Sequence, residues 1–257
     1  MVDYASTEGL TGLDEGLRVR QIAAFPLVKC RAGDDPNEVL TRPELQGFDQ
    51  IPMADGSRIV SILERGNPPQ LRRLDDSVLV SADDLLSHFI HTVHEQPYRL
   101  VVDKTAIAGI VTWSDLLKLP VIVLAFSLVA ELELAMNQRI KQLYGGSEKW
   151  LELIDDEEAI KKITGRRRKL EKENLVLSTV ELADLIGKAR VFRKMLGTGR
   201  DFDTDLESIR ELRNDVAHVK EIVRSEADLK GFVIRLETAE VWLQILKSAP
   251  PAVAAAV

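Results

Sequence analysis

YRLVVDKTAIAGIVT, residues 98–112, is the stretch that decides the fold of the N-terminal half of the chain. It contains two short apolar runs, residues 98–102 and 107–111, separated by the polar residues Asp103, Lys104 and Thr105. Short apolar runs joined by a tight polar turn are typical of a β-hairpin. The stretch therefore predicts two antiparallel strands.

The same pattern occurs earlier, where residues 51–53 and 59–63 flank the turn Ala54-Asp55-Gly56-Ser57. A helix is predicted before the second hairpin, beginning at Ser81-Ala82-Asp83-Asp84 and running to Glu95, ahead of Pro97. Its apolar residues recur on one arc of the helix. The first half is thus predicted to be an imperfect α/β repeat of roughly 50 residues. The apolar arc consists of Leu85, Leu86, Phe89, Ile90 and Val93.

From Leu119 onward the apolar residues follow a helical period. This pattern predicts five helices with an apolar face each, which is typical of a helical bundle. The predicted fold class is therefore α+β, with an α/β half before an all-α half. The predicted helices are residues 119–144, 148–172, 178–196, 204–224 and 226–248.

Composition restricts the class of protein. The 257 residues are 45% hydrophobic and 29% charged, as in globular chains. The net charge of −7 means that any nucleic-acid contact needs a local basic patch. Cys30 is the only cysteine, which excludes an intramolecular disulfide and favours a reducing compartment.

Features of a secretory signal or a membrane span are weak in this sequence. Residues 1–16 are acidic and lack the basic start of a secretory signal. The longest apolar run, residues 119–130, is interrupted by Pro120 and Ser127 and is shorter than a span of the bilayer requires. We therefore expect a soluble, cytoplasmic protein without a membrane partner.

Two segments resemble CBS domains. In the first repeat, Phe48-Asp49-Gln50-Ile51-Pro52 with Asp55-Gly56 and Ile59-Val60 is similar to the central hairpin of such a domain. In the second, Gly109-Ile110-Val111-Thr112-Trp113-Ser114-Asp115-Leu116-Leu117 looks like the segment that closes a CBS repeat. The resemblance implies a tandem CBS-like pair at residues 17–119.

The resemblance further implies that the cleft of the pair holds an adenine nucleotide (AMP, ADP or ATP) as a regulatory ligand. Thr112 would face the phosphate, and Asp115 would face the ribose hydroxyls. A strand-to-helix junction also suits a phosphate physically. Alternatively, Thr112 caps the following helix and Asp115 stabilises its N-terminus by charge. Ser61, Glu64 and Asn67 replace the Gly, Thr and Asp in the first repeat, so at most one nucleotide site is expected.

The fourth predicted helix carries LRNDVAH, residues 212–218. At about 100° per residue, Asn214 and His218 point away from the apolar stripe, and Arg213 flanks it. Arg213, Asn214 and His218 match the Arg-x4-His signature of HEPN domains, and the apolar and acidic residues 128–134 look like a HEPN first helix. The resemblance covers roughly residues 118–248, and the predicted HEPN-like domain is assigned to residues 120–248. It leaves residues 1–16 and 249–257 as flexible ends.

In that family, two copies of the motif face each other across a homodimer and cleave RNA without a metal. Such chemistry suits these residue types. A histidine exchanges protons near neutral pH, and an arginine binds a phosphate bidentately as negative charge builds up. Asn214, one turn before His218, could orient the imidazole. The predicted catalytic residues are therefore Arg213, Asn214 and His218, with no cofactor for catalysis.

Residues 161–169 contain six basic side chains and no acidic one. Such a cluster supplies affinity for RNA phosphates without base specificity, although a charge run is also typical of a solvated helix face. His88, His91 and His94 lie on one side of their predicted helix but lack a nearby carboxylate, so no metal site is predicted. The predicted RNA-binding residues are Lys161, Lys162, Arg166, Arg167, Arg168 and Lys169.

Together these features predict a metal-independent endoribonuclease that responds to an adenine nucleotide. By analogy with the two families, it would be a stress or phage-defence toxin, with an antitoxin as a further partner. The alternative is a non-catalytic module in which the first half senses a nucleotide and the helical half mediates dimerisation.

Overall fold

A computed structural model of the chain describes residues 15–145, 147–154, 156–173, 178–197, 201–217 and 225–248. These residues form a mixed α+β structure with two small sheets in the N-terminal half and mainly helices after them. They divide into two compact units. The first takes in the described residues up to Val121 together with residues 225–229, and the second takes in the others.

The first unit contains two successive β-α-β-β motifs. The elements of the first motif are β1 (Cys30–Arg31), α1 (Pro36–Thr41), β2 (Gln50–Asp55), β3 (Arg58–Glu64) and β4 (Gln70–Arg73). Those of the second are β5 (Leu79–Ser81), α2 (Leu86–Thr92), β6 (Tyr98–Asp103) and β7 (Ala106–Thr112). Short 3₁₀ helices lie between them, at Val19–Gln21, Pro43–Leu45, Asp76–Val78, Val93–Glu95 and Trp113–Leu117.

Both hairpins predicted from the sequence are present, and their registers correspond. Gln50 lies opposite Glu64 in the first hairpin, as Tyr98 lies opposite Thr112 in the second. The register shifts at matching places, between Met53 and Ala54 and between Val101 and Val102. The first strand of each motif pairs in parallel with the second. The predicted internal repeat is therefore confirmed.

The helix of the second motif is shorter than predicted. Leu85 forms an isolated bridge with Arg18 and is extended, so α2 begins only at Leu86. Before it, the Ser81 N–H donates to Asp84 Oδ2 at 3.1 Å, which closes a turn where the sequence predicts the first helical residues. Leu85 is consequently exposed, whereas the other four residues of the predicted apolar arc are buried.

The two sheets of the first unit share an apolar core. Buried residues from both sheets contact one another there, with Ile62 from the first sheet and Tyr98 and Leu100 from the second. A second cluster lies between the first sheet and α1, where Val39 and Leu45 pack on Ile51 and Met53. Each sheet is therefore fixed by burial, which is the main stabilising contribution in such a domain.

The second unit is built from helices around buried aromatic residues. The rings of Phe202 and Trp242 stack, with their centroids 5.4 Å apart and their planes 9° apart. The helices are α3 (Leu119–Tyr144, whose first turn belongs to the first unit), α4 (Glu157–Lys172), α5 (Thr179–Leu182), α6 (Leu185–Val191), α7 (Arg193–Leu196), α8 (Phe202–Ala217) and α9 (Glu226–Ser248), with a 3₁₀ helix at Glu148–Leu153.

The bounds of α3 and α9 agree with the predicted helices 119–144 and 226–248, but two other predictions were too long. Residues 148–172 are divided into a 3₁₀ helix and α4, because Asp156 caps α4 by accepting from the N–H groups of Glu158 and Ala159. Residues 178–196 form three short helices, and Asp184 caps the second of them. Residues 218–224 of the predicted fourth helix lie outside the described residues.

Helix α3 is long and apolar enough, by length and composition alone, to cross a membrane. The sequence-based estimate stopped at residue 130 and missed this property. A core helix of a soluble protein passes the same test, and Glu131 and Glu133 of α3 form ion pairs with Lys247 and Lys188. One such helix is therefore weak evidence for a membrane span. Its buried residues include Ala125, Val129, Leu132, Met136 and Ile140.

Candidate functional site

A cleft of about 400 Å³ opens in the first unit. It is bounded by the segment after the first 3₁₀ helix, by the loop that leads into β2, and by the turn that follows β7. Residues from both repeats line it, so the segments that resemble a CBS pair meet at one place. The lining residues are Ala24, Pro26, Leu27, Val28, Gly47, Phe48, Asp49, Gln50, Pro52, Pro97, Ile110, Thr112, Trp113, Ser114 and Asp115.

One wall of the cleft is the segment 24–28, which runs along the edge of β7. The Ala24 N–H donates to Ile110 O at 2.8 Å, and the Leu27 N–H donates to Ala108 O at 2.9 Å. Gly109 permits this approach, since a Cβ at this position would lie 2.6 Å from Phe25 Cε1 and 2.8 Å from Ala24 O. The glycine of the CBS-like pattern therefore has a steric role here.

The opposite wall is the loop that ends at Asp49, and Arg65 holds it. Arg65 Nε donates to Phe48 O at 3.1 Å, and Arg65 Nη2 donates to Leu45 O at 2.9 Å. The Arg65 N–H also donates to Asp49 O at 2.7 Å. Phe48 is thus positioned at the cleft through its backbone, and its ring stays exposed.

Thr112 and Asp115 lie together at the end of β7 and form a capping box. The Thr112 N–H donates to Asp115 Oδ2 at 2.7 Å, and Thr112 Oγ1 donates to the same oxygen at 3.1 Å. Lys118 Nζ lies 2.8 Å from Asp115 Oδ1. The predicted capping role is therefore present, and both residues also line the cleft. Each carboxylate oxygen can accept more than one hydrogen bond, so a ligand hydroxyl can still be bound.

The position that the repeat makes equivalent to the cleft is filled by side chains. Glu64 stands where Thr112 stands in the second repeat, and its Oε1 accepts from the Tyr98 hydroxyl at 2.7 Å. Arg72 Nη1 lies 3.8 Å from the same carboxylate and donates to Gln96 Oε1 at 3.0 Å. The Arg72 guanidinium also lies over the Tyr98 ring, 6.0 Å from its centroid. We call Arg72, Glu64 and Tyr98 the filling cluster.

Burial and the bond to Glu64 raise the pKa of Tyr98 well above its ordinary value, with burial as the larger cause. The phenol therefore stays protonated at all physiological pH values and donates steadily to Glu64. By repeat symmetry, the filling cluster occupies the position that corresponds to the cleft.

In the second unit, α8 carries the predicted catalytic residues Arg213 and Asn214. Its apolar stripe is buried, as the sequence predicts, through Leu206, Ile209, Leu212 and Val216. Arg213 is exposed and Asn214 is half-buried, and Arg213 Nη1 donates to Asn214 Oδ1 at 3.4 Å. His218 lies outside the described residues.

The predicted RNA-binding cluster lies on α4, and most of its cations are already paired. Lys161 and Lys162 form ion pairs with Glu157 and Glu158. Arg167 lies 2.7 Å from Glu148 Oε1. Arg166 is exposed and donates to Leu182 O at 2.9 Å. Arg168 and Lys169 are exposed and form no ion pair or hydrogen bond with any described residue.

A second cleft, of about 430 Å³, lies among α4, α6 and α8. It brings Lys162 of the basic cluster to the same cavity as Arg210 of α8, one turn before the predicted catalytic pair. Sequence reasoning did not find this cleft, because its residues come from three separate segments. It is lined by Asp156, Ala159, Lys162, Asp184, Ile186, Arg190, Asp203, Leu206, Glu207 and Arg210.

Sequence reasoning also missed the edge segment of the first cleft, since Ala24, Leu27 and Val28 carry no recognisable motif. Within the part of the chain that the structure describes, no group of three or more His, Cys, Asp or Glu side chains is arranged to hold a metal ion. That statement includes His88, His91 and His94.

Comparison of the chain with models of known protein families, with curated proteins and with solved structures gives no match.

Proposed function

We propose that the first unit binds an adenine nucleotide in the cleft between its two repeats. The observation that carries the proposal is that Thr112 and Asp115 of one repeat and Phe48, Asp49 and Gln50 of the other line a single cleft of about 400 Å³. This size lies within the range of small-molecule sites, which usually combine apolar walls with a few polar groups.

The chemistry of the lining suits a nucleoside. In this proposal Asp115 accepts from the ribose hydroxyls, since a carboxylate accepts from both groups of a diol, and Ser114, whose Oγ lies 2.7 Å from Thr112 Oγ1, adds a further hydroxyl. Leu27, Val28 and Pro52 supply apolar surface for the flat faces of a base, and the ring of Phe48 can stack on it. Gln50 carries both a donor and an acceptor for the base edge.

The test is isothermal titration of the full chain with AMP, ADP and ATP. Asp115→Asn should weaken binding about tenfold, because it removes a charged acceptor worth about 1.5 kcal/mol. Asp55→Asn, an exposed carboxylate in the β2–β3 turn that does not line the cleft, is the control.

Since Asp115→Asn also alters the capping box, a second variant separates binding from folding. Arg72 fills the equivalent position in the first repeat. Ala24→Arg places the same side chain at the open cleft, where Ala24 is exposed. It should abolish binding while leaving the thermal transition unchanged. Wild-type binding strength in both variants would refute the assignment of this cleft.

A second function, metal-independent cleavage of RNA by the helical unit, is favoured by one observation. Arg213 and Asn214 lie side by side on α8, away from the buried stripe, so they are accessible to a phosphate. In this proposal Arg213 binds the scissile phosphate, His218 transfers the proton, and Asn214 orients the imidazole. A homodimer would supply a second copy of the set.

Cleavage of a mixed RNA substrate in EDTA tests this function. Arg213→Ala and His218→Ala should each reduce the rate at least a hundredfold, with the oligomeric state unchanged. Lys194→Ala, an exposed cation of α7, is the control. Equal rates in wild type and His218→Ala would favour the alternative, in which the helical unit only mediates dimerisation and the nucleotide-binding unit is a regulatory sensor.

If both activities are present, the nucleotide would control the nuclease. We propose a cytoplasmic toxin or antiviral effector of this kind, restrained by an antitoxin. Coupling requires that the nucleotide binds the active and inactive states with different affinity. The rate of RNA cleavage with and without AMP, ADP or ATP measures it, and the Ala24→Arg variant should not respond.

A further inference from the structure

We infer that the cleft of the first unit selects adenine nucleosides with one phosphate or none and discriminates against ATP. The inference rests on the proposed function, because it concerns the ligand of the same cleft. It starts from the charge of the lining. Among the described residues that line the cleft there is no Lys or Arg, and two are carboxylates, Asp49 and Asp115.

Two cations that contact lining residues, Lys118 and Arg65, also hold other groups. Lys118 pairs with Asp115 at 2.8 Å and also donates to Ile22 O. Arg65 Nε and Nη2 donate to the carbonyl groups of Phe48 and Leu45. Lys29 follows Val28 but does not line the cleft. If a phosphate bound Lys118 or Arg65, it would break contacts that shape the walls of the cleft.

The backbone offers little compensation. The Thr112 N–H, which begins the turn after β7, already donates to Asp115 Oδ2 at 2.7 Å. The helix that follows is a 3₁₀ helix of only 5 residues, Trp113–Leu117, so few aligned peptide dipoles support a negative charge there. A phosphate site built from a helix N-terminus needs free N–H groups and a longer helix.

Polyphosphates depend on such groups. Proteins bind them with Arg or Lys side chains, with free N–H groups or with a metal ion, because several negative charges must be balanced at once. In this cleft each further phosphate would instead add repulsion from Asp49, and less from Asp115, whose charge Lys118 balances. The lining suits a ribose and a base, since it offers hydrogen-bond acceptors to the ribose hydroxyls and apolar surface to the base. Affinity should therefore decrease in the order adenosine or AMP, ADP, ATP.

The test is titration calorimetry of the full chain with adenosine, AMP, ADP and ATP at about 50 mM salt without Mg²⁺. Because its additional phosphates meet a lining carboxylate and no cation, ATP should bind about tenfold more weakly than AMP. Raising the salt to about 300 mM screens the repulsion and should narrow this gap. Adenosine binding should not change with salt.

Asp49→Asn provides the matched variant, since it removes one lining charge and leaves the capping box intact. It should strengthen ATP binding about threefold relative to adenosine binding. Asp55→Asn, outside the cleft, should not change this ratio. ATP as the tightest ligand, or ATP binding that weakens with salt as it does at cationic sites, would overturn the inference while the proposed function stands. If none of the four ligands binds, the proposed function itself fails.

Discussion

Arg72 occupies the position in the first sheet that Ala24 occupies beside the second: Arg72 lies opposite Ile62, and Ala24 lies opposite Ile110. The two backbones are placed alike, but the side chains differ in size and charge. The guanidinium of Arg72 reaches Glu64, Gln96 and the Tyr98 ring, whereas the methyl group of Ala24 leaves a cleft open. The residue at this position, Arg72 or Ala24, therefore decides whether a cleft is filled or open.

The first prediction concerns stoichiometry. Wild-type chain should bind one nucleotide per protomer, because the filling cluster occupies the second position. Arg72→Ala removes the guanidinium and should lower the free energy of unfolding by about 1 kcal/mol, the sum of weak ion pairs, a hydrogen bond and a cation–π contact. Arg73→Ala, the exposed neighbour with no ion pair or hydrogen bond to a described side chain, should have little effect. Urea unfolding and calorimetry measure the two quantities, and two ligands bound by wild type would contradict the prediction.

The second prediction concerns an ion pair between a buried lysine and a half-buried glutamate in the helical unit. Lys188 is 1% exposed, and its Nζ lies 2.7 Å from Glu133 Oε1. Glu133→Ala would leave a buried ammonium without its carboxylate and should cost about 3 kcal/mol. Adding Lys188→Met to that variant should recover most of the loss, as measured by thermal unfolding followed by circular dichroism.

The exposed carboxylate Glu152 is the control for this cycle, and Glu152→Ala should leave the transition unchanged. If Glu133→Ala behaves like Glu152→Ala, the pair contributes little to the stability of the folded chain.

The third prediction concerns the pH dependence of the stability that Glu148 provides. The Thr179 hydroxyl, and then Arg167, lower the pKa of Glu148 from its ordinary value of 4.5. A carboxyl with a lower pKa in the folded state stabilises the fold above its unfolded pKa, and this contribution is lost as the pH falls through the folded value. Glu148→Gln should therefore lower the thermal transition at pH 7, and the difference from wild type should shrink below about pH 4.5. A difference that grows in acid would refute the assignment.

The fourth prediction divides the basic cluster on α4. Arg168→Ala and Lys169→Ala should weaken RNA binding more than Arg167→Ala, since Arg167 is paired with Glu148 and Glu171. Each should also reduce the slope of log affinity against log salt by about one. Fluorescence anisotropy with a labelled RNA measures both effects. Equal losses at all three positions would mean that RNA displaces the carboxylates from Arg167.

Sequence reasoning succeeded where a regular pattern of apolar residues extends over a long segment. The bounds of α3 and α9 follow directly from apolar residues repeated over many turns, and the two hairpins follow from paired apolar runs around polar turns. It failed for the short helices after Ser178, where single caps such as Asp184 decide the ends. Capping residues such as Asp184 can be read from the sequence, but the continuous apolar pattern around them led to the prediction of one long helix.

The candidate cleft was only half predictable. Thr112 and Asp115 belong to a local pattern, so the sequence identifies them. The wall formed by Ala24 depends on pairing with Ile110, far along the chain, and no local signal marks it. Likewise, Glu64 was recognised as a departure from the pattern, but its partners Arg72 and Tyr98 become evident only when the strands are placed in register.

The missing side chain at Gly109 links the course of the backbone to the existence of a binding site. A single methyl group there would lie 2.6 Å from Phe25 Cε1 and 2.8 Å from Ala24 O, so it would push the segment that forms one wall away from the edge of β7. Gly109→Ala should therefore deform the cleft and abolish nucleotide binding, although residue 109 itself does not line the cavity.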